Sequence, residues 1–383
     1  MLIDVILLSL ALNFIVFTIG NKNLYLNNIV ILILLCFYLL RALVRGKVIF
    51  NKHFIPLIFF IIYFVFTILI SGNKEQSIIQ YIIFMQPILF SILIINSISN
   101  SLALHKNIFV SYSFFFFFIL LRIIINNYAV FLNLSTSNRF DLGFIGGVNN
   151  FSYLLDIAIV ITIILIKRKP IKIFLTGFFI IILSFTLSRG GVLTLLIVFL
   201  YIFNFFELLA KKKNLIIGIF LLFIVFLSVV FLINTDISAV FINRYLKLDL
   251  TGSGRLEIWY NVVKKIFDNS QSFLFGNGPG TFKYEIYSGK IMNSTHNQYL
   301  DFLYNFGIVG FSLFFGYLLY IIKKICNTSN NDIKKVLLSI FLIYFLSFIF
   351  DSHLWVVQTN WIFGLFLSSA IKYLDISKKQ INK

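Results

Sequence analysis

The chain is built from long apolar stretches separated by short polar ones. Twelve of these stretches approach the roughly 20 apolar residues that an α-helix needs to cross a bilayer. Their approximate limits are 2–20, 24–41, 54–70, 78–96, 107–126, 148–166, 171–187, 191–209, 214–233, 299–322, 336–351 and 354–371. The pattern predicts an all-α polytopic membrane protein with about 12 transmembrane helices, which form a single transmembrane domain over residues 1–383.

Two of the connections between these stretches are long. The first covers about 127–147, and the second covers about 234–298. The second is the large loop in which residues could fold over the membrane surface. Residues 255–268 inside it have helical periodicity, with one apolar face. That face comprises Trp259, Val262, Val263, Ile266 and Phe267. Two interpretations stay open: a helix resting in the membrane interface, or an ordinary surface helix packed on the bundle.

Composition and charge agree with a membrane protein. The chain is 60% hydrophobic and only 12% charged, whereas soluble domains carry about 25% charged residues. Its net charge of +18 does not predict nucleic-acid binding, because the lysines and arginines concentrate in alternate short connections. Such enrichment marks the cytoplasmic side. We therefore expect both termini in the cytoplasm and residues 234–298 outside, in the plasma (inner) membrane of a bacterium.

The sequence gives no sign of a disulfide framework or a metal site. The two cysteines, Cys36 and Cys326, are far apart in the chain, and their spacing matches no metal-binding pattern. The first stretch lacks a preceding basic residue and a small-residue cleavage pattern, so we interpret it as a retained helix rather than a signal peptide. No cofactor and no metal are expected.

Arginines gather on the predicted outer side. They are Arg122, Arg139, Arg189, Arg244 and Arg255. A guanidinium group is always protonated and forms bidentate bonds to phosphate, so this set suits an anionic ligand such as a lipid pyrophosphate. For Arg122, snorkelling to lipid headgroups is the alternative. Arg189 stands before Gly190-Gly191 in a break between two spans, where glycine lets the backbone turn sharply.

Two further motifs follow the long loop's predicted helix. Residues 276–280 read Gly-Asn-Gly-Pro-Gly. They lack the preceding strand and the Gly-Lys-Ser/Thr ending of a phosphate-binding loop, which favours a tight turn. His296 follows at the outer end of the tenth span. A neutral imidazole can accept a proton near neutral pH, as a general base for a sugar hydroxyl would. A purely structural histidine is the alternative.

Taken together, these motifs resemble the O-antigen ligase/polymerase family. The resemblance rests on Ser-Arg-Gly-Gly at 188–191, Arg255 with Trp259, GNGPGTF, and HNQYL followed by GIVG, and it covers about residues 186–315. It implies a glycosyltransferase of the GT-C type, which works without metal at the outer face of the plasma membrane. Its donor and acceptor would be polyprenyl-pyrophosphate-linked oligosaccharides. The other expected partners are membrane lipids and a chain-length regulator protein.

The resemblance also implies roles for particular residues. His296 would be the catalytic base, and Arg189 and Arg255 would hold the pyrophosphate leaving group. Asn149 and Asn150 resemble an asparagine position common in the family. The candidate substrate-binding residues are Arg189, Arg255, Asn150, Arg122 and Asn297. One departure is that Asn305 and Phe306 stand where relatives often carry an acidic residue, so a helper carboxylate there is in doubt.

Three functions fit this pattern. The residue usage, rich in Ile, Phe, Asn and Lys, resembles that of variable surface-polysaccharide gene clusters, which favours a polymerase of repeat units in O-antigen or capsule synthesis. A ligase that transfers the glycan to lipid A core shares the same residues. A lipid-linked glycan transporter is an alternative of a different class. Transporters usually place ionisable groups near the midplane of the membrane. Here the predicted spans are almost uncharged, and the main exception is Asp156, about 12 Å past Val148.

Overall fold

A computed structural model of the chain describes residues 15–19, 22–25, 33, 51–97, 102–126, 147–203, 254–285, 291–292, 294–329 and 331–381. Helices dominate these ranges. They are α1 (Ile55–Ile70), α2 (Lys74–Ser97), α3 (Leu102–Asn126), α4 (Val148–Leu165), α5 (Lys169–Phe185), α6 (Arg189–Ile202), α7 (Arg255–Phe267), α8 (Ser270–Phe275), α9 (Gln298–Cys326), α10 (Asp332–Phe350) and α11 (Val357–Ile381). Short 3₁₀ helices at Lys52–Phe54 and His353–Trp355 precede α1 and α11.

Local sequence signals fix several helix ends. Pro56 and Pro170 stand in the first turns of α1 and α5, where a missing N–H costs nothing and the fixed φ suits a helix. Ser188 caps α6 by accepting the N–H of Gly191. Asn297 caps α9 by accepting the N–H groups of Tyr299 and Leu300. The last two caps lie in the two motifs of functional interest.

The predicted spans are confirmed in part. Nine of the predicted spans, from 54–70 to 191–209 and from 299–322 to 354–371, coincide with α1–α6 and α9–α11 over their described residues. Four described helical segments are long and apolar enough to cross a membrane: Lys52–Ile70, Val148–Leu165, Gln298–Cys326 and Asp332–Phe350. The predicted span 214–233, like the long connection over 127–146, lies outside the described residues.

The first predicted span, 2–20, is wrong at its end, and the second, 24–41, is wrong at its start. Of the second span, residues 24, 25 and 33 are described. Residues Ile15–Ile19 form strand β1, which pairs antiparallel with β2 at Lys22–Tyr25, so that Ile19 faces Lys22. Four of the five residues of β1 are β-branched, and such side chains favour extended backbone. A count of apolar residues does not distinguish this preference from a helix. A second small sheet pairs β3 (Tyr284–Glu285) with β4 (Ile291–Met292) inside the predicted outer loop.

The chain divides into two compact units, while the predicted single transmembrane domain stays a prediction. Unit 1 comprises Met1–Phe115, Thr251–Leu338 and Phe348–Lys383. Its core holds a cluster of aromatic rings in which Phe60 contacts Phe302 and Phe306, and Trp355 stacks on Phe302 at 5.8 Å. This cluster holds the segment just after α10 against the first turns of α9.

Unit 2 comprises Phe116–Leu250 and Ser339–Ser347. Its centre is α4, which is buried over most of its length and packs against α5 and α6. The ring of Phe116 contacts Phe151 on α4 and Phe179 on α5. Asp156 lies on the buried part of α4.

The glycine-rich run 276–280 forms the tight turn that its sequence predicts. Gly276, Gly278 and Gly280 all have positive φ, and the turn docks on a break in α9 at Gly307, where φ is +61°. The break releases two helix carbonyls. The Asn277 N–H donates to Tyr304 O at 2.8 Å, and the Gly278 N–H donates to Asn305 O at 3.0 Å. The turn thus replaces the hydrogen bonds that α9 loses.

Helix α7 packs on unit 1 through one face. Ile258, Val262 and Ile266 are buried against Phe282 and Tyr304. The interpretation of an ordinary surface helix is therefore confirmed for this face. Successive helical residues differ by about 100° in direction, so residues next to the buried ones point away. Four apolar side chains are exposed: Leu256, Tyr260, Val263 and Phe267. Contact of these four with the membrane interface stays a prediction.

Candidate active site

His296 stands in a strained turn at the head of α9. Its φ is +53°, a left-handed conformation that non-glycine residues rarely adopt and that often marks functional sites. Its own N–H donates to Ser294 Oγ at 3.1 Å, and the Asn297 cap fixes the helix that follows. The imidazole side chain is 32% exposed, so a substrate can reach it.

A carboxylate orients this imidazole. His296 Nδ1 lies 3.2 Å from Asp351 Oδ1, on the residue that follows α10. Burial raises the pKa of Asp351, but the hydrogen bond from His296 and attraction to the protonated forms of His353 and His296 outweigh it, and they hold its pKa below its ordinary value. A carboxylate only accepts hydrogen bonds, so Nδ1 carries the hydrogen. Nε2 is then the basic nitrogen, as a general base requires.

A second carboxylate ties the two segments together. Asp301 on α9 accepts the Thr295 N–H at 3.1 Å and the hydroxyl of Ser352. The Ser352 N–H donates in turn to Asp351 Oδ1 at 2.9 Å. Residues on both sides of the His296–Asp351 pair are therefore held in one network, which fixes the direction of the imidazole.

Helix α7 reaches the same network with two side chains. The Trp259 indole N–H donates to Thr295 O at 2.9 Å, next to His296. The Arg255 guanidinium donates to Phe350 O at 2.5 Å, next to Asp351. A guanidinium has five N–H donors, and this bond uses one of them. Arg255 therefore brings a permanent positive charge to the segment that holds the candidate base.

A separate cluster lies in unit 2 at the heads of α4 and α6. Ser152 Oγ lies within hydrogen-bond distance of Asn149 O, at 2.7 Å, and of Ser188 Oγ, at 2.9 Å. Ser188 Oγ donates to Asn149 Oδ1 at 3.3 Å. Leu187 has a φ of +52°. Among the described residues, Leu187 and His296 are the non-glycine residues with positive φ. His296 lies in one of the two motifs predicted to be functional, and Leu187 directly precedes the other, Ser-Arg-Gly-Gly at 188–191.

The structure places the predicted site residues in two groups. His296, Asn297 and Arg255 belong to unit 1, while Arg189, Asn150 and Arg122 belong to unit 2. Arg189 is the first residue of α6, Asn150 is buried in the first turn of α4, and Arg122 is exposed on α3. Arg139 and Arg244 lie outside the described residues. Asn297 acts as a helix cap, and its contact with a substrate stays a prediction.

Sequence reasoning missed Asp351, Asp301 and Ser352. A helper carboxylate was considered at positions 305 and 306. The carboxylate that contacts His296 is that of Asp351, the residue after α10. An acidic residue at the outer end of a span, beside His353, was the available signal. Within the described ranges, no three His, Cys, Asp or Glu side chains converge as a metal site would require.

Comparison with known families supports the predicted resemblance. Residues 173–315 match the family model described as O-antigen ligase. This range contains the Ser-Arg-Gly-Gly break, α7, the glycine-rich turn and His296. The predicted recognition of the O-antigen ligase/polymerase family is thus confirmed. Together with the apolar helices, it indicates a membrane protein. No curated protein matches the chain.

Proposed function

We propose, from the premise that residues 173–315 carry the O-antigen ligase domain, that the protein polymerises oligosaccharide repeat units linked to polyprenyl pyrophosphate. The reaction would take place at the outer face of the bacterial plasma membrane, in a GT-C-like bundle of about 12 transmembrane helices. The observation that carries the proposal is the His296–Asp351 pair, in which a partly exposed imidazole is oriented by a carboxylate.

The chemistry is glycosyl transfer with inversion at the anomeric carbon. The acceptor hydroxyl gives its proton to Nε2 of His296 while its oxygen bonds to the anomeric carbon of the donor. The bond from that carbon to the pyrophosphate oxygen breaks, and the pyrophosphate leaves with the electron pair. Asp351 stabilises the imidazolium that forms, as an orienting carboxylate does in other His-based sites. This path requires neither a metal ion nor a cofactor.

The arginines stabilise the departing group. Negative charge grows on the pyrophosphate as the bond breaks, and donors aimed at developing charge usually contribute the largest share of catalysis. Arg255 is held beside the His296–Asp351 pair by its bond to Phe350 O. Asn297 in unit 1 is a further proposed substrate ligand. The family resemblance proposes the same role for Arg189, Asn150 and Arg122, which lie in unit 2.

The activity can be tested with purified protein in lipid nanodiscs and a polyprenyl-pyrophosphate-linked repeat unit. We expect covalent chain growth by the wild-type protein and a loss of at least about 10²-fold in His296→Ala. Wild-type rates in His296→Ala would sink the assignment. In proteoliposomes, which separate the two faces of the bilayer, movement of the lipid-linked glycan without bond formation would instead indicate the transporter.

The proposal favours polymerase over ligase, which a deletion strain can decide. Loss of a polymerase should leave single repeat units attached to lipid A core, where a core exists. Loss of a ligase should leave a bare core while long chains accumulate on the polyprenyl lipid. The second pattern would replace the proposal with the ligase alternative, which uses the same base and arginines.

A further inference from the structure

A polar cleft opens in unit 1, away from the His296–Asp351 pair. Its volume is about 540 Å³. One wall is the turn between α1 and α2, and the other is α8 with the glycine-rich turn that follows it. The side chains that line it include Asn73, Asn269, Gln271, Asn277, Lys283 and Tyr304. Binding pockets for small molecules typically span about 300–1,000 Å³, so this cleft has room for a ligand.

The lining chemistry suits a carbohydrate. Four primary amides each offer both a donor and an acceptor, which is what neighbouring sugar hydroxyl and acetamido groups need. Tyr304, which is 8% exposed, forms part of the wall, and Lys283 adds a positive charge. Ordinary small-molecule pockets are mostly apolar, whereas the walls here are mostly polar. Such walls favour a hydrophilic ligand over a lipid chain.

The walls are fixed before any ligand arrives. Asn277 is held by the hydroxyl of Ser272 at 2.9 Å and by the carbonyl of Tyr304 at 3.3 Å. Thr281 Oγ1 donates to Gly278 O at 2.7 Å, and Asn269 caps α8. A preorganised site spends less free energy on ordering its side chains when it binds.

We propose that this cleft is a glycan subsite, which binds a sugar of the repeat unit next to the one that reacts. The proposal rests on the polymerase function above and adds a second contact between the protein and the glycan. Tyr304 is six residues past Gln298, the first residue of α9, which is about 9 Å along the helix axis. The cleft and His296 are therefore not in direct contact. A short oligosaccharide can extend from one to the other.

Gly72 offers a way to close the cleft without disturbing the fold. It lines the cleft, and a Cβ built at this position meets nothing within 4 Å. Gly72→Phe should fill the cleft, while Gly72→Ala is the matched control that adds a side chain too small to block it. Gln271→Ala and Lys283→Ala remove two lining groups at exposed positions, so their effect on folding should be small.

Binding can be measured apart from catalysis. The probe is the oligosaccharide repeat unit released by mild acid from its polyprenyl-pyrophosphate carrier in a strain that carries the gene, so that it holds neither lipid nor pyrophosphate. Saturation-transfer NMR on the purified protein should show binding to wild type, His296→Ala and Gly72→Ala. Gly72→Phe should weaken binding by about tenfold or more, and Gln271→Ala and Lys283→Ala should weaken it by about threefold to tenfold.

The outcomes separate this proposal from the polymerase function. Equal binding by Gly72→Phe and wild type, or no binding by wild type, would overturn the subsite while leaving the role of His296 to its own test. Loss of binding in Gly72→Phe with full binding in His296→Ala supports the subsite, because the two variants then affect binding and chemistry independently.

Discussion

His296 Nδ1 and Asp351 Oδ1 lie 3.2 Å apart, although 55 positions separate the two residues in the chain. Asp351 is mostly buried, with 15% of its side chain exposed, whereas the imidazole is 32% exposed. The pair therefore has an inner, orienting member and an outer, accessible one. A base that accepts a proton at Nε2 needs its Nδ1–H held in this way, because the opposite tautomer would present a hydrogen to the acceptor hydroxyl.

Asp351→Asn should lower turnover strongly while the protein still folds. The amide keeps the size of the carboxylate but removes the charge that stabilises the imidazolium, and it can stabilise the wrong tautomer. In a serine protease the equivalent change costs about 10⁴-fold in kcat. We expect a loss of about 10²–10⁴-fold here, measured as initial rate of chain growth in nanodiscs at saturating donor.

Asp268→Asn is the matched control for that variant. Asp268 is an exposed residue at the end of α7, so the same acid-to-amide change there should leave the rate within about twofold. If Asp351→Asn kept the wild-type rate at normal membrane levels, Asp351 would be a structural partner of His296 and not part of the reaction.

The carboxylate of Asp351 should stay ionised across the neutral range, so its own protonation should not change stability there. Its pKa is lowered from the ordinary value of 3.8, so the carboxylate is ionised in both the folded and the unfolded chain above that value. Its stabilisation is fully present there, and it is lost only as pH falls below 3.8 through the folded-state pKa. The difference in Tm between wild type and Asp351→Asn should change little between pH 8 and 5 because of this group, and shrink below about pH 4. A difference that vanishes already at pH 6 would contradict the assigned shift.

Gly307 should be irreplaceable in α9, unlike Gly316 in the same helix. At Gly307 φ is +61°, and a Cβ would clash with the backbone oxygen of Leu274, whereas a Cβ at Gly316 meets nothing within 4 Å. Gly307→Ala should therefore strain the backbone and displace the glycine-rich turn, at a cost of about 1–3 kcal/mol or more. Gly316→Ala should be neutral or slightly stabilising. Thermal unfolding of the two purified variants compares them directly, and equal Tm values would contradict the docked turn.

The junction of α4 and α6 in unit 2 also requires a glycine, at Gly191. A Cβ at Gly191 would lie 2.6 Å from Ser152 Oγ, while a Cβ at Gly177 on α5 meets nothing within 4 Å. Gly191→Ala should lower the Tm, because overpacking costs about 1–3 kcal/mol. It should also displace Arg189, which is two positions away in the chain. Gly177→Ala is the control and should not lower the Tm. A Gly191→Ala protein as stable as wild type would show that the junction is loose.

Sequence-based prediction succeeded where the structure depends on neighbouring residues, and it failed where the structure depends on residues far apart in the chain. The helices α1–α6 and α9–α11 depend on local apolar stretches and were predictable, and His296 was found because its motif is contiguous. Asp351 was missed because its contact with His296 spans 55 positions, and no local pattern records such a pairing. The docking of Asn277 on Tyr304 O is equally non-local. The error in β1 has a different cause. Its β-branched residues favour extended backbone, whereas the apolar pattern predicted a helix there.

The orientation of the chain decides on which side His296 works, and it can be tested at two positions. The lysine run 211–213 predicts a cytoplasmic connection by the positive-inside rule, and this run lies outside the described residues. Asn269 is an exposed residue between α7 and α8, in the predicted outer loop that also carries His296. Fusions that end at Lys212 and at Asn269 should therefore report opposite sides: fluorescent protein should be active only at Lys212, and alkaline phosphatase only at Asn269. Between Asn269 and the His296 motif, the described elements are the six-residue helix α8 and the two-residue strands β3 and β4. None of these elements could cross a bilayer, since that takes about 20 helical residues. The side reported at Asn269 is thus the side of the imidazole. Matching signals from the two fusions would overturn the orientation, and with it the placement of the polymerase chemistry at the outer face.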